Sequence, residues 1–189
     1  NIKLFCLSLI PNNRLPYIVA GLYAIFSSIS SFYSFDLNAG TNYYYLIQTN
    51  ATIGLGIGSF FIAVFLGQIK FENKEYLSIL WSITLLFIYV MKPSLEMIVS
   101  DFSYYHLIIF IFALVILVST NKWHLALSLI FVGIIGALVT FKLYLSFYAI
   151  NIEMLGLSFK IIYFLLLLSL AILTILKPRQ EEYAQMIKE

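Results

Sequence analysis

The sequence predicts an all-α membrane protein, a polytopic bundle of about six spanning helices. Of its 189 residues, 62% are hydrophobic and 11% are charged, whereas soluble domains are about a quarter charged. The apolar residues also fall into runs of about 20, the length that a helix needs to cross a bilayer. A soluble fold of this size could not cover so much apolar surface. The natural solvent of this chain is therefore lipid.

Six apolar runs are candidates for spanning helices. The first is opened by Pro16, at a first-turn position where proline is tolerated. The third is short and is closed by Lys92 and Pro93, unless it borrows a turn from its flanks. The segment 92–103 is interpreted either as an interfacial helix or as part of a longer fourth span. The six predicted spans are Leu15–Phe35, Tyr43–Gly67, Tyr76–Met91, Tyr104–Thr120, Leu125–Phe141 and Phe159–Leu176.

The distribution of Lys and Arg predicts which side of the membrane is cytoplasmic. With six spans, one side carries eight of the 11 basic residues, and the other carries Lys92, Lys142 and Lys160. Cytoplasmic loops are enriched in basic residues. The side with eight includes both termini, so we expect both to be cytoplasmic. Residues 1–176 then form the transmembrane domain and 177–189 a cytoplasmic tail.

The residue types argue against several kinds of chemistry. Cys6 is the single cysteine, so an internal disulfide and a thiolate metal cluster are excluded. His106 and His124 are predicted on opposite sides of the membrane without further ligands at metal spacing, so no metal or cofactor is expected. The basic residues form no long run, so nucleic-acid binding is not expected. No nucleophile, base and orienting residue can be assembled, so catalysis within this chain is not supported.

Acidic residues on the predicted outer side are candidates for ligand binding. Asp36, Glu96 and Asp101 fall on this side and could line an outward-facing pocket for a small polar or cationic signal. His106, near the outer end of the fourth span, and Glu153, between the fifth and sixth spans, join this set. Each residue could instead simply reach the outer water. The spans themselves are predicted to lack buried carboxylates, which argues against an ion-coupled transporter.

Glycines at helical spacing predict close packing of two spans. Gly54 and Gly58 are four residues apart in the second span, and Gly133 and Gly136 are three apart in the fifth. Small residues at such spacing let another helix approach closely, within the fold or in a homodimer. A phosphate-binding loop is not supported, because no Lys-Ser or Lys-Thr pair follows the glycines.

Four features of the layout occur together: a Pro-Asn pair before the first span, a tryptophan in the third, a short Lys-Trp turn after the fourth, and a charged exit from the sixth. These are Pro11-Asn12, Trp81, Lys122-Trp123 and Lys177-Pro178-Arg179. In these features the chain resembles the six-span membrane sensor region of bacterial sensor histidine kinases of the cell-density-signalling type.

The resemblance implies a membrane-embedded input domain in the bacterial cytoplasmic membrane. The sixth span would pass a small-molecule signal to a kinase core beyond Glu189, so neither His106 nor His124 inherits the phosphoacceptor role. Gly40-Thr41-Asn42-Tyr43 replaces the Pro-Tyr-Glu-Asn-like cluster expected after the first span, so a ligand shared with the family is not implied.

The tail and the function each allow alternatives. Leu176, Tyr183 and Ile187 share one helix face, compatible with the start of a dimeric coiled coil or with an ordinary solvated helix end. The chain could also be a small transporter that uses the Gln48–Gly58 region as a discontinuous helix. A third alternative is an accessory subunit of a larger membrane complex.

The predicted orientation can be tested by labelling introduced cysteines from outside the cell. Asn38→Cys lies in a predicted outer loop and should react. Glu72→Cys and Gln185→Cys are predicted to be cytoplasmic and should stay unlabelled, because the bilayer excludes a charged reagent. Equal reaction at position 38 and at position 72 or 185 would overturn both the orientation and the sensor interpretation.

Overall fold

The chain is described by a computed structural model in which the described secondary structure elements are all helical. No strand occurs among the described residues. These are residues 14–36, 43–69, 74–100, 103–121, 123–147 and 168–170.

The described residues form seven consecutive helical elements. One of them is a π-helical segment, which we call the π segment. In chain order the elements are α1 (Leu15–Asp36), α2 (Tyr44–Phe65), α3 (Lys74–Leu86), the π segment (Phe87–Met91), α4 (Lys92–Val99), α5 (Tyr104–Thr120) and α6 (Trp123–Phe147).

Four helices in the described residues are long and apolar enough to cross a membrane, which indicates a multi-pass α-helical membrane protein. They are Leu15–Ser34, Tyr44–Phe65, Lys74–Val99 and Leu125–Tyr144. In lipid a helix is favoured because it satisfies its own backbone hydrogen bonds. The fourth predicted span corresponds to α5, an apolar helix of 17 residues. The sixth predicted span and the tail lie outside the described residues, except for 168–170, which are helical.

The third membrane helix is longer than the sequence predicts. It was expected to end at Met91, but the backbone continues through the π segment into α4 and ends at Val99, a total of 26 residues. Proline lacks an N–H, and its ring clashes with the carbonyl four residues earlier. The π segment ends two residues before Pro93 and includes Tyr89, four residues before the proline. Its wider turn contains one extra residue, so the helix accommodates the proline and continues. Segment 92–99 is thus neither a separate interfacial helix nor part of the fourth span.

The chain divides into two compact units, of which the first ends at Ile88. Its helices α1 and α2 approach each other through glycines. A Cβ atom added to Gly58 would lie 2.8 Å from the carbonyl oxygen of Gly21 and 2.7 Å from Cγ1 of Ile25. A Cβ added to Gly21 would lie 2.9 Å from the carbonyl oxygen of Gly58. The two backbones are therefore in direct contact, with no room for a side chain on either glycine.

Three aromatic side chains join α1, α2 and α3 in the same unit. The rings of Tyr17 and Phe61 are stacked with centroids 5.7 Å apart, and the ring of Trp81 lies edge-on at 4.8 Å from Tyr17 and 5.2 Å from Phe61. All three side chains are buried. Aromatic pairs in these geometries contribute attraction beyond the area they bury, so this cluster fixes the relative positions of the three helices.

Helix α2 is continuous from Tyr44 to Phe65, and it ends by a glycine-dependent turn. The N–H of Gly67 donates to the carbonyl of Val64, and the N–H of Gln68 donates to the carbonyl of Ala63. These are the two hydrogen bonds of a Schellman motif, which requires a left-handed residue, and Gly67 has φ of 75°. The discontinuous helix considered for the Gln48–Gly58 region is wrong, because α2 runs unbroken through it.

The second compact unit begins at Tyr89 and contains α4, α5 and α6. Helix α4 packs against both α5 and α6. On α6, Gly133 is buried, and a Cβ added to Gly136 would lie at an ordinary 3.6 Å from the sulfur of Met91. The fourth glycine of the predicted packing set, Gly54, is buried on α2.

Alanine substitutions at the glycines of α2 test the contact between α1 and α2. Gly58→Ala is expected to lower the free energy of unfolding by about 1 to 3 kcal/mol, because the added methyl group overlaps the backbone of α1. Gly56→Ala is the matched control, since no atom lies within 4 Å of its added Cβ. Denaturant unfolding of the purified protein in lipid bicelles measures both. Equal unfolding midpoints for the two variants would contradict the close approach.

Candidate functional site

Helix α4 is short, carries several polar residues and is enclosed on every side. All residues from Lys92 to Ile98 are buried. Because side chains around a helix point in all directions, the whole circumference of α4 is in contact with protein. Charged residues in membrane proteins that face the protein interior are costly and commonly functional. Helix α4 is therefore a candidate functional site.

Lys92 and Glu96 form an ion pair on this enclosed helix. Nζ of Lys92 lies 2.8 Å from Oε1 of Glu96, and the two side chains are 0% and 1% exposed. Their spacing of four residues places them one above the other on one face of the helix. A buried charge is very unfavourable unless it is paired. The pair brings two charges into the protein interior while keeping the net charge at zero.

The pair lies toward one end of its membrane helix. Lys74–Val99 has 26 residues, a length of about 39 Å at 1.5 Å per residue, which exceeds the hydrocarbon thickness of about 30 Å. Glu96 is three residues from the end of this helix, and Lys92 is one turn deeper. The same turn holds the hydroxyl of Ser94, which is buried without a hydrogen-bond partner among the described residues.

A histidine at the start of α5 adds a third ionisable group. Ser103 caps α5 by accepting a hydrogen bond from the backbone N–H of His106 at 3.5 Å, and its hydroxyl lies 2.6 Å from Nδ1 of the same residue. Serine is a preferred residue at this position because its oxygen satisfies an otherwise unpaired helix N–H. His106 is 5% exposed, so its ring is fixed in a buried position.

The chain connects these groups closely. Only residues 100–103 separate α4 from α5, so Glu96 and His106 both lie near the connection between these two packed helices. The charges of Glu96 and Lys92 act on the His106 ring, and Glu96 also acts on Tyr105. We call Lys92, Glu96 and His106 the charged cluster.

The four residues predicted to bind a ligand have different outcomes. His106 is buried and belongs to the charged cluster, and its role in binding a ligand stays a prediction. Asp36 is the last residue of α1, but its side chain lies outside the described part of the chain. Asp101 and Glu153 also lie outside the described residues, so their role stays a prediction.

Two statements about Glu96 that follow from the sequence are wrong. Glu96 was expected to line an outward-facing pocket, but its carboxylate is buried and paired with Lys92. The spans were expected to lack buried carboxylates, but Glu96 lies within the membrane helix that ends at Val99. Both errors follow from ending the third span before Pro93. The signal that could have revealed the pair is the Lys-x-x-x-Glu spacing, which places both residues on one helix face.

A separate groove in the second unit has a different character. It has a volume of about 540 Å³ and contains two serines but no ionisable residue among its lining side chains. An apolar lining of this kind suits an acyl chain better than a polar signal. Its lining residues are Leu127, Ser128, Ile130, Phe131, Val132, Ser169 and Leu170.

Comparison with protein-family models, with curated proteins and with solved structures gives no match for this chain.

A double-mutant cycle tests whether Lys92 and Glu96 are coupled. Lys92→Met and Glu96→Gln are each expected to lower the free energy of unfolding by about 3 to 5 kcal/mol, because each leaves an uncompensated buried charge. The double variant is expected to lose less than the sum of the two, since no charge is then left alone.

Lys142→Met is the control for this cycle, because Lys142 is an exposed lysine on a membrane helix of the same unit. Its effect should stay within about 0.5 kcal/mol. The measurement is denaturant unfolding in bicelles for the wild type and all four variants. Additive losses in the double variant would show that the two side chains do not interact.

Proposed function

We propose that this chain is a membrane-embedded input domain that responds to a signal by shifting its helices between two arrangements. The single observation that carries the proposal is the buried Lys92–Glu96 pair directly after the π segment. Neither feature is needed to cross a membrane, and both carry a cost. Costly intramembrane charges and π-helical turns are both found preferentially at functional sites.

In this proposal the second arrangement of the helix is one in which the π segment has become α-helical. The five residues of the π segment, Phe87–Met91, hold one residue more per turn than an α-helix can accommodate. Conversion of this turn to α-helix would rotate the following residues by about 100°. Lys92 and Glu96 would then change their positions relative to His106. A signal needs only a different affinity for the two arrangements to shift the population between them.

The resemblance to six-span sensor regions supports the same class of function. In this proposal the chain crosses the bacterial cytoplasmic membrane six times with both termini in the cytoplasm. The sixth span and residues 177–189 pass the change to a histidine kinase core. The chain forms a homodimer by contacting another copy through the transmembrane region and the tail. The signal is a small molecule that reaches the outer side.

The test uses the chain joined to the sequence that follows it in the intact gene. Lys92→Met and Glu96→Gln are each expected to hold kinase autophosphorylation at one level that no longer responds to the stimulus, because the pair that distinguishes the two arrangements is gone. Lys142→Met should keep the normal response. The proposal fails if no kinase module follows in the reading frame, or if both charge variants respond like the wild type.

A second candidate function, ion-coupled transport, is favoured by the same buried pair. Ion-coupled transporters use intramembrane charges or interrupted helices to bind the coupling ion, and the helix Lys74–Val99 has both an ion pair and a π interruption. Solute and proton flux into proteoliposomes separates the two functions. An input domain should show no flux, whereas a transporter should show flux that Glu96→Gln abolishes.

A further inference from the structure

We infer that the charged cluster is a proton-binding site, in which the imidazole of His106 takes up one proton from water and the carboxylate of Glu96 is its counter-ion. This inference goes beyond the proposed function, because it states what the cluster binds whether the chain signals or transports. It is based on the burial of three ionisable groups and on the hydrogen bond that holds the imidazole.

Structural stabilisation alone does not account for the Lys92–Glu96 pair. Both residues belong to α4, and their contact lies within that helix. Their mutual contact is therefore local to one turn of helix. Replacing a buried ion pair with apolar side chains of similar volume is often neutral or stabilising. Two charges on an enclosed helix are better explained by a ligand that carries charge, and a proton is the ligand that needs no cavity.

The groups that face His106 define the charge balance of the site. From α4, Glu96 supplies one negative and Lys92 one positive charge. On α5 itself, Tyr104 is 86% exposed and Tyr105 is 48% exposed. On α6, the titratable side chains that the structure describes are those of Lys142, which is exposed, and Tyr144. Neither is among the charged groups that act on His106. The cluster is neutral when the imidazole is neutral, and proton uptake gives it one positive charge.

The hydrogen bond from Ser103 fits both states of the imidazole. In the neutral ring, an unprotonated Nδ1 accepts a hydrogen bond from the Ser103 hydroxyl, 2.6 Å away. In the protonated ring, the same Nδ1 carries a hydrogen and donates it to the hydroxyl oxygen. A serine hydroxyl can donate or accept, so the contact persists when the proton is taken up. His106 can therefore change its charge without leaving a buried ring nitrogen unsatisfied at this position.

Proton uptake acts directly on the ion pair. With His106 protonated, Glu96 becomes the one anion shared between two cations, and its attraction for Lys92 is opposed by repulsion between Lys92 and His106. Lys92 is the residue that follows the π segment. Weakening of the Lys92–Glu96 ion pair therefore changes the forces on the π segment, the turn at which we propose that the helix changes its register. The site thus couples one proton to the backbone element that has two arrangements.

Nitrogen NMR of the histidine rings tests the proton site in the full chain in lipid nanodiscs. The chain has two histidines, so His124→Gln leaves the ring signal of His106 alone. We expect this ring to take up a proton as the pH is lowered. Glu96→Gln should lower the titration midpoint and Lys92→Met should raise it, each by about one pH unit, the effect of one neighbouring charge. Lys142→Met should leave the midpoint unchanged.

The opposite signs make the test decisive. Equal midpoints in the wild type and both charge variants would overturn the inference, as would shifts in the same direction. Absence of titration in both the wild type and Lys92→Met would also overturn it. If Glu96→Gln fails to fold, Glu96→Asp replaces it in the test. This variant withdraws the carboxylate by one carbon and should still lower the titration midpoint of His106. A higher or unchanged midpoint would overturn the inference. Kinase output is not part of this readout, so the proton site and the input function can fail independently.

Discussion

The ion pair between Lys92 and Glu96 is the interaction on which the character of the second unit depends. Helix α4 is buried around its whole circumference, and an unpaired charge on such a helix would have to reach water. Pairing within one helical turn removes that requirement. It allows a segment with a lysine, a proline, a serine and a glutamate to lie between α5 and α6 as an enclosed helix.

The interiors of the two units differ in chemistry. The first is held by direct backbone contact at Gly21 and Gly58 and by the rings of Tyr17, Phe61 and Trp81. Contacts of this kind have one geometry and no alternative charge state, so they favour a fixed arrangement. The interior of the second unit instead contains ionisable groups whose charges can change. A part of a protein that responds to a chemical change is expected to contain the second kind of interior.

The proposed function and the proton site meet at the π segment. A proton held by His106 changes the charge around Glu96, and the lysine bonded to Glu96 is attached to the turn that holds the extra residue. Few groups therefore separate the proton from the π segment: one hydrogen-bonded histidine, one ion pair and one turn of helix. Input from a small molecule on the outer side could act on the same element by favouring one register of the helix.

The sequence by itself determined the helical class and the bounds of α1, α2 and α5 to within one or two residues. It could do so because the bilayer fixes both the length and the polarity of a spanning helix. It did not determine the continuation through Pro93, because a local rule for proline is overridden when a π turn absorbs the clash. Nor could it show that Glu96 is buried or that Gly58 contacts Gly21. Only the tertiary structure decides which residues meet, since burial and pairing depend on neighbours distant in the chain as well as on spacing along it.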